Sequence, residues 1–99
     1  MESIIVQPGE TKTAYWFVNL SGTLYYKINN RSGTHKLKAQ WVKGPFGSTE
    51  DIPDLYLQGN IPFKGFIWGK LKVFGADSET VMQVTDSARV ASNFPSIHF

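Results

Sequence analysis

The sequence predicts an all-β protein, a single-domain antiparallel β-sandwich of about seven short strands over residues 1–99. Clusters of Gly, Pro, Asn and Ser recur about every eight to twelve residues, a spacing typical of small sandwiches and barrels. The segments between them, such as ETKTAYWFVNL at 10–20, are rich in Thr, Val and aromatic residues and have no helical period. Two layers are preferred because short strands of one domain must bury their apolar sides against each other.

The strands are placed between successive turn signals, which are QPGE, LSG, NNRSG, KGPFGS, QGNIP and FGADSE. This assignment gives strands at 3–7, 11–20, 23–29, 34–42, 55–58, 65–74 and 80–86. Because the loop NNRSG is short and rich in Gly and Asn, it favours a hairpin between 23–29 and 34–42.

Alternation along each strand predicts which side chains face the core. Strand 11–20 is apolar on both sides, with Ala14, Trp16, Val18 and Leu20 assigned inward, and Tyr15 and Phe17 outward. It should therefore be central or covered by a partner. In strand 65–74, Ile67 joins the inward set, whereas Phe66 and Phe74 lie among the outward residues. The core residues predicted are Trp16, Val18, Leu24, Ile28, Leu37, Trp41, Leu71 and Val73.

Basic residues stand beside aromatic ones on the predicted outward side of two segments. Between Glu10 and Glu50 there are six basic residues and no carboxylate, although the net charge is only +2. The candidate ligand-binding residues are Tyr25, Lys27, Lys36, Lys38, Trp68, Lys70 and Lys72. If the two segments share a sheet, they form one patch for an anionic surface: a lipid head group, an acidic glycan or single-stranded nucleic acid.

Two other interpretations of these residues remain open. The lysines are equally consistent with the solvated side of an antiparallel sheet, with half-buried aromatic packing beside them. Alternatively, Phe66, Trp68 and Phe74 belong to a subunit interface with a lysine rim.

The chain carries no pattern typical of an enzyme. Its two histidines, His35 and His98, have neither metal-ligand spacing nor a nucleophile motif nearby, and there is no phosphate-binding glycine loop. The carboxylates in STEDIPD lack the order of a calcium loop, and there is no cysteine. We therefore predict no catalytic residue, metal or cofactor. Without a signal peptide or transmembrane segment, a cytoplasmic location is the default expectation, and export by a leaderless route stays open.

The C-terminal segment 87–99 places three apolar residues, Phe94, Ile97 and Phe99, within its last six positions. A free polar tail would not carry so much apolar surface, so the segment is predicted to dock as an arm. Docking on a neighbouring copy would make a homo-oligomer, with Tyr15 and Phe17 as further candidate interface residues. Docking on the domain's own sheet edge is the alternative.

From Ile28 to Phe74, the order INNRSG, WVKGPFG, IPDLYLQGN and FIWGKLKVFG is similar to small cytolysin and lectin sandwiches, the actinoporin-like and aegerolysin-like proteins. This resemblance implies a sandwich that binds membranes or sugars, and it transfers no individual site residue. Together these observations predict a non-catalytic binding or assembly module. The alternative is a homo-oligomeric structural subunit without a ligand, of the virion or secretion-assembly type.

Overall fold

The computed structural model describes residues 2–18, 21–30, 32–33, 35–65 and 67–87, and these form an antiparallel β-sandwich without a long helix. The all-β prediction is confirmed, with eight strands in the described part of the chain where about seven were expected. The strands are β1 (Glu2–Val6), β2 (Thr11–Phe17), β3 (Ser21–Asn30), β4 (Lys36–Lys43), β5 (Ser48–Tyr56), β6 (Gln58–Lys64), β7 (Gly69–Phe74) and β8 (Thr80–Asp86).

The strands form two four-stranded sheets that pack face to face. The back sheet has the order β1-β8-β3-β6, and the front sheet has the order β2-β7-β4-β5. Four antiparallel pairs are nested: β1 with β8, β2 with β7, β3 with β6, and β4 with β5. The chain therefore resembles one long hairpin, with its tip at 44–47, that is wrapped into two layers. This is the architecture of an eight-stranded jelly roll.

The hairpin predicted between 23–29 and 34–42 is wrong, because β3 lies in the back sheet and β4 in the front sheet. The connection after β3 crosses between the sheets. Asn30 stabilises the part of this connection that the structure describes. Its side-chain Oδ1 accepts hydrogen bonds from the His35 N–H (3.1 Å) and the Ser32 hydroxyl (3.1 Å).

The single strand predicted at 55–58 is instead the junction of two longer strands, β5 and β6. Pro53 and Pro62 lie within these strands although proline cannot donate a ladder hydrogen bond. Both prolines are tolerated because β5 and β6 lie at sheet edges. The chain bends from the front sheet into the back sheet at Leu57, which lies between β5 and β6 and has a positive φ of 53°.

A β-bulge in β2 reverses the predicted faces of that strand after Ala14. Thr13 pairs with Lys72 and Tyr15 with Leu71, so Ala14 is the extra residue. Ala14 and Tyr15 both face inward, and alternation then continues from the shifted position. Phe17 is therefore buried (3% exposed), whereas Trp16 (56%) and Val18 (59%) are exposed. The core assignment of Trp16 and Val18 was wrong. Tyr15 and Phe17, predicted as interface residues, belong to the core.

An aromatic cluster joins the two sheets across the core. Phe17 and Trp41 come from the front sheet and Phe63 from the back sheet, with ring centroids 4.2 Å apart for Phe17–Phe63 and 5.7 Å for Phe17–Trp41. Beside the cluster, the buried Tyr15 hydroxyl donates a hydrogen bond to Asp86 Oδ2 (2.9 Å), which gives that buried carboxylate a partner. The six other predicted core residues are buried as expected: Leu24, Ile28, Leu37, Trp41, Leu71 and Val73.

Ile67 is exposed rather than inward, because it lies in the connection before β7 and not within the strand. The predicted arm residues Phe94, Ile97 and Phe99 lie outside the described residues, as do Leu20 and Phe66. Within the described ranges, no helix is long and apolar enough to cross a membrane.

Candidate functional site

Five of the seven predicted ligand-binding residues lie together on the outer side of the front sheet. Strands β4 and β7 are neighbours there, and their register places Lys38 beside Phe74, Gln40 beside Lys72, and Val42 beside Lys70. We define the basic–aromatic face as the outward basic and aromatic residues from Lys36 to Lys38 on β4 and from Lys70 to Phe74 on β7, together with Trp68, the residue that precedes β7. Its members are Lys36, Lys38, Trp68, Lys70, Lys72 and Phe74.

The other two candidates, Tyr25 and Lys27, are not part of this face. They point outward from β3 in the back sheet, where Tyr25 pairs with Asn60 and Thr85. The two sheets cover opposite sides of the sandwich, so one flat ligand cannot contact both sets. The sequence-based patch is therefore divided, and its larger part is the front one.

Aromatic rings position three of the lysines on the basic–aromatic face. The Lys38 and Lys72 ammonium groups lie 5.9 and 5.6 Å from the ring centroid of Phe74, and Lys70 lies 5.9 Å from that of Trp68. Such cation–π contacts contribute about 0.5–1 kcal/mol at exposed sites. The rings are half-buried. They are therefore restricted in their movement, and the long lysine side chains pack against them.

The edge strand β5 supplies acidic partners to β4 but does not neutralise the middle of the face. Lys36 pairs with Asp54 (3.4 Å) and Lys43 with Glu50 (3.3 Å), while Gln40 Nε2 donates to Asp51 Oδ1 (2.9 Å).

Within the described part of the chain, no carboxylate lies within ion-pair distance of Lys38, Lys70 or Lys72. Among the described residues, therefore, no ion pair compensates the positive charge of the three central lysines.

The same pairings account for the three carboxylates of STEDIPD. Glu50, Asp51 and Asp54 each contact a different β4 side chain along the length of β5, so they do not converge. The described residues contain no cluster of three or more His, Cys, Asp or Glu side chains that could hold a metal ion.

Trp68 is held in place by the tip of the β4–β5 hairpin. The Gly44 N–H donates to the Trp68 carbonyl (2.9 Å), and the indole ring lies so close to the Gly44 Cα that a Cβ atom there would overlap it. Any larger residue at position 44 would displace the indole. This contact links the hairpin tip 44–47 to the connection before β7.

The sequence-based prediction missed exposed apolar residues at the border of this face. Trp16 lies directly beside Lys70 across the β2–β7 pair, and Phe46 projects from the hairpin tip with 92% of its surface exposed. Trp16 was missed because the bulge at Ala14 has no local sequence signature. Phe46 was missed because a turn residue has no alternation to assign its face.

His35 has a structural position at the sheet-to-sheet crossing. Its Nδ1 accepts the Asn30 backbone N–H (3.3 Å), and its backbone has a positive φ of 49°. These contacts stabilise the connection. His35 lies just before the start of β4, whereas Trp68 lies near the other end of that strand. His98 lies outside the described residues.

No protein-family model, characterised protein or solved structure matches the chain. The similarity of Ile28–Phe74 to cytolysin and lectin sandwiches therefore gains no support from these comparisons. A jelly roll by itself does not indicate a function. The argument for function depends on the residues of the basic–aromatic face.

Proposed function

We propose that the protein is a non-catalytic binding module that recognises an anionic surface through the basic–aromatic face. The observation that carries this proposal is the group of three adjacent lysines, Lys38, Lys70 and Lys72. They lie on two paired strands without a carboxylate partner among the described residues. Their charges add, and long-range attraction of an anionic partner follows from such a concentration of one sign.

The cost of this arrangement supports a functional interpretation over an ordinary solvated face. Lys70 and Lys72 lie two positions apart on β7 and Lys38 lies diagonal to Lys72, so their like charges repel one another although no two of them are directly opposite. On the adjacent strand β5, Asp54 and Glu50 pair with Lys36 and Lys43 at the two ends of β4. Asp51 accepts a hydrogen bond from Gln40, which lies between it and Lys72 in the register. An external anion would relieve the repulsion at the centre, whereas water only screens it.

The alternative prediction, a homo-oligomeric subunit without a ligand, has no comparable support. Two of its five candidate interface residues, Tyr15 and Phe17, are buried in the core of one chain. The other three, Phe94, Ile97 and Phe99, lie outside the described residues.

The test compares two double charge reversals that change the net charge equally. Lys38→Glu with Lys72→Glu alters the basic–aromatic face, and Lys27→Glu with Lys64→Glu alters two exposed lysines of the back sheet. Each variant is measured against heparin and against phosphatidylcholine vesicles that contain phosphatidylserine, with thermal unfolding as the check on folding.

We expect the front-sheet variant to lose most of its binding and the back-sheet variant to retain it within about threefold, because only close contacts depend on position. Wild-type affinity should fall steeply from about 50 to about 200 mM salt. Equal losses in both variants would mean that net charge alone acts. A wild type that binds neither probe at low salt would return the lysines to an ordinary solvated face.

A further inference from the structure

Exposed apolar side chains gather at one end of the front sheet. Four of the seven large hydrophobic residues that are exposed in the described ranges lie there: Trp16 (56%), Val18 (59%), Phe46 (92%) and Ile67 (58%). We call these four residues the apolar end. They come from three separate segments, namely the end of β2, the β4–β5 hairpin tip and the connection before β7.

The strand register explains why these segments meet. Phe17, Gly69, Lys43 and Ser48 form one row across β2, β7, β4 and β5, and the apolar end lies next to and beyond this row. The Gly44–Trp68 hydrogen bond ties two of the three segments together. Since neighbouring strands are about 4.8 Å apart, the four side chains span only about 15 Å across the sheet.

The side-chain types distinguish among possible partners. Val18 and Ile67 offer no ring for stacking on a base or a sugar, so a nucleic acid or glycan would leave them exposed. Tryptophan beside lysine is instead the combination found where proteins enter the head-group region of a bilayer. Trp16 and Lys70 are direct cross-strand neighbours, which places an apolar ring and a cation at the same level.

A second copy of the chain fits this end less well than a lipid surface does. The four residues expose roughly 500 Å² of mostly apolar surface, which is within the range of roughly 300–600 Å² for the largest patch on a monomer, a patch that is often functional. It is nonetheless below the roughly 800 Å² per partner of a stable protein interface. A two-fold contact through this end would also bring Lys70 and its neighbours of one copy towards those of the other. An anionic membrane supplies both an apolar interior and the opposite charge.

We propose that the apolar end inserts into the interfacial layer of an anionic lipid bilayer, while Lys70 and Lys72 contact the lipid head groups and Lys38, roughly 17 Å along β4 from the inserted end, adds long-range attraction. This proposal depends on the proposed function, because the same lysines attract the surface, and it names the anionic partner as a membrane. Phe46 enters first, since the hairpin tip exposes it most. The other three residues of the apolar end then reach the level of the lipid ester groups: Trp16, Val18 and Ile67.

The test uses two matched double substitutions at opposite ends of the front sheet. Phe46→Ser with Ile67→Ser removes half of the apolar end. Tyr56→Ser with Leu57→Ser removes two exposed apolar residues at the far end, where β5 meets β6. Both are compared with wild type for binding to phosphatidylcholine–phosphatidylserine vesicles and to heparin. Insertion is followed by quenching of tryptophan fluorescence with lipids brominated along the acyl chain.

The first variant should bind vesicles at least about tenfold more weakly than wild type, because the lost apolar burial scales with area. Its heparin binding should be unchanged, and the far-end variant should match wild type in both assays. Trp16 is the most exposed of the three tryptophans and should account for the larger part of the quenching by brominated lipid, with the half-buried Trp68 accounting for the rest, so Trp16→Phe should reduce the quenching. Trp41 serves as an internal reference because it is buried in the core.

Three outcomes would overturn the inference. Vesicle binding without quenching, or unaffected by Phe46→Ser with Ile67→Ser, would show that nothing inserts. Binding to heparin or single-stranded DNA but not to vesicles would make the partner a soluble polyanion and leave the proposed function intact. A wild-type dimer that Phe46→Ser with Ile67→Ser converts to monomer would assign the apolar end to a second copy.

Discussion

The two sheets have similar inner faces but different outer faces. Inward, both carry the aliphatic and aromatic residues of one shared core. Outward, the middle of the back sheet presents Lys27, Asn29 and Gln83, whereas the front sheet presents its lysines against Phe74 and Trp68. Strand alternation explains the inner faces and the fact that polar residues point outward. It does not explain why the front sheet concentrates both charge and exposed apolar surface.

The contrast shows which features of the molecule require a functional explanation. A polar outer face with scattered lysines is what an antiparallel sheet needs to stay soluble. Trp16, Val18 and Phe46 expose apolar surface to water, and the three central lysines bring like charges close together. Both costs occur on the same sheet, which is the pattern expected where a partner removes them.

The largest effect that we expect concerns the boundary between the inner and outer faces of β2. Phe17→Ala should lower the free energy of unfolding by about 3–5 kcal/mol, because it removes the ring that joins both sheets. The adjacent Trp16→Ala should cost less than about 1 kcal/mol, since the indole is mostly exposed. Chemical denaturation of both variants provides the measurement. Equal costs would mean that β2 is not bulged and that Trp16 packs inward.

A smaller effect is expected from deleting Ala14. In the present register, Thr13 pairs with Lys72 and Tyr15 with Leu71, and Ala14 has no partner. The deletion would therefore leave all six β2–β7 pairs intact. We expect a loss of about 1–2 kcal/mol, from one buried methyl group and the altered strand twist. Trp16 should stay exposed, which acrylamide quenching can follow. A deletion that unfolds the protein, or that shields Trp16, would contradict the assigned bulge.

Much of the fold was predictable because the alternation of apolar and polar residues along a strand indicates which side chains face the core. In β3, β4 and β7, alternation identified Leu24, Ile28, Leu37 and Leu71 as core residues. Alternation failed in β2, because a single extra residue at Ala14 shifts all later side chains without changing the local composition. It also failed at β5 and β6, where proline is compatible with strand only because both are edge strands.

The candidate site was predictable in its residues but not in its assembly. The sequence predicts that the lysines of β4 and β7 point away from the core, and in the structure they do. Whether they share a sheet depends on how the chain crosses between layers, and the loop at 30–35 is equally compatible with a hairpin or a crossing. The apolar end was not predictable, because it combines the bulged β2 with two connections that have no alternation.

The smallest expected effect tests whether the outer face of the back sheet can be given the binding that we propose for the front one. Starting from the Lys38→Glu with Lys72→Glu variant, Asn29→Lys and Asn60→Lys add two cations on β3 and β6. Asn60 lies beside Tyr25, and Asn29 lies two positions from Lys27. The back sheet then has lysines next to an aromatic residue.

Because the back-sheet lysines act through net charge and not through close contacts, these additions should restore heparin binding by no more than about threefold, which corresponds to roughly 0.7 kcal/mol. Vesicle binding should recover less, and tryptophan should not be quenched by brominated lipid. The reason is that Trp16, Val18 and Phe46 remain at the edge of the reversed front face, and the back sheet has no equivalent group of exposed apolar side chains among the described residues. Full recovery of vesicle binding with quenching would contradict the distinction between the two faces. It would mean that any lysine–aromatic arrangement on this sandwich is sufficient and that the apolar end contributes nothing of its own.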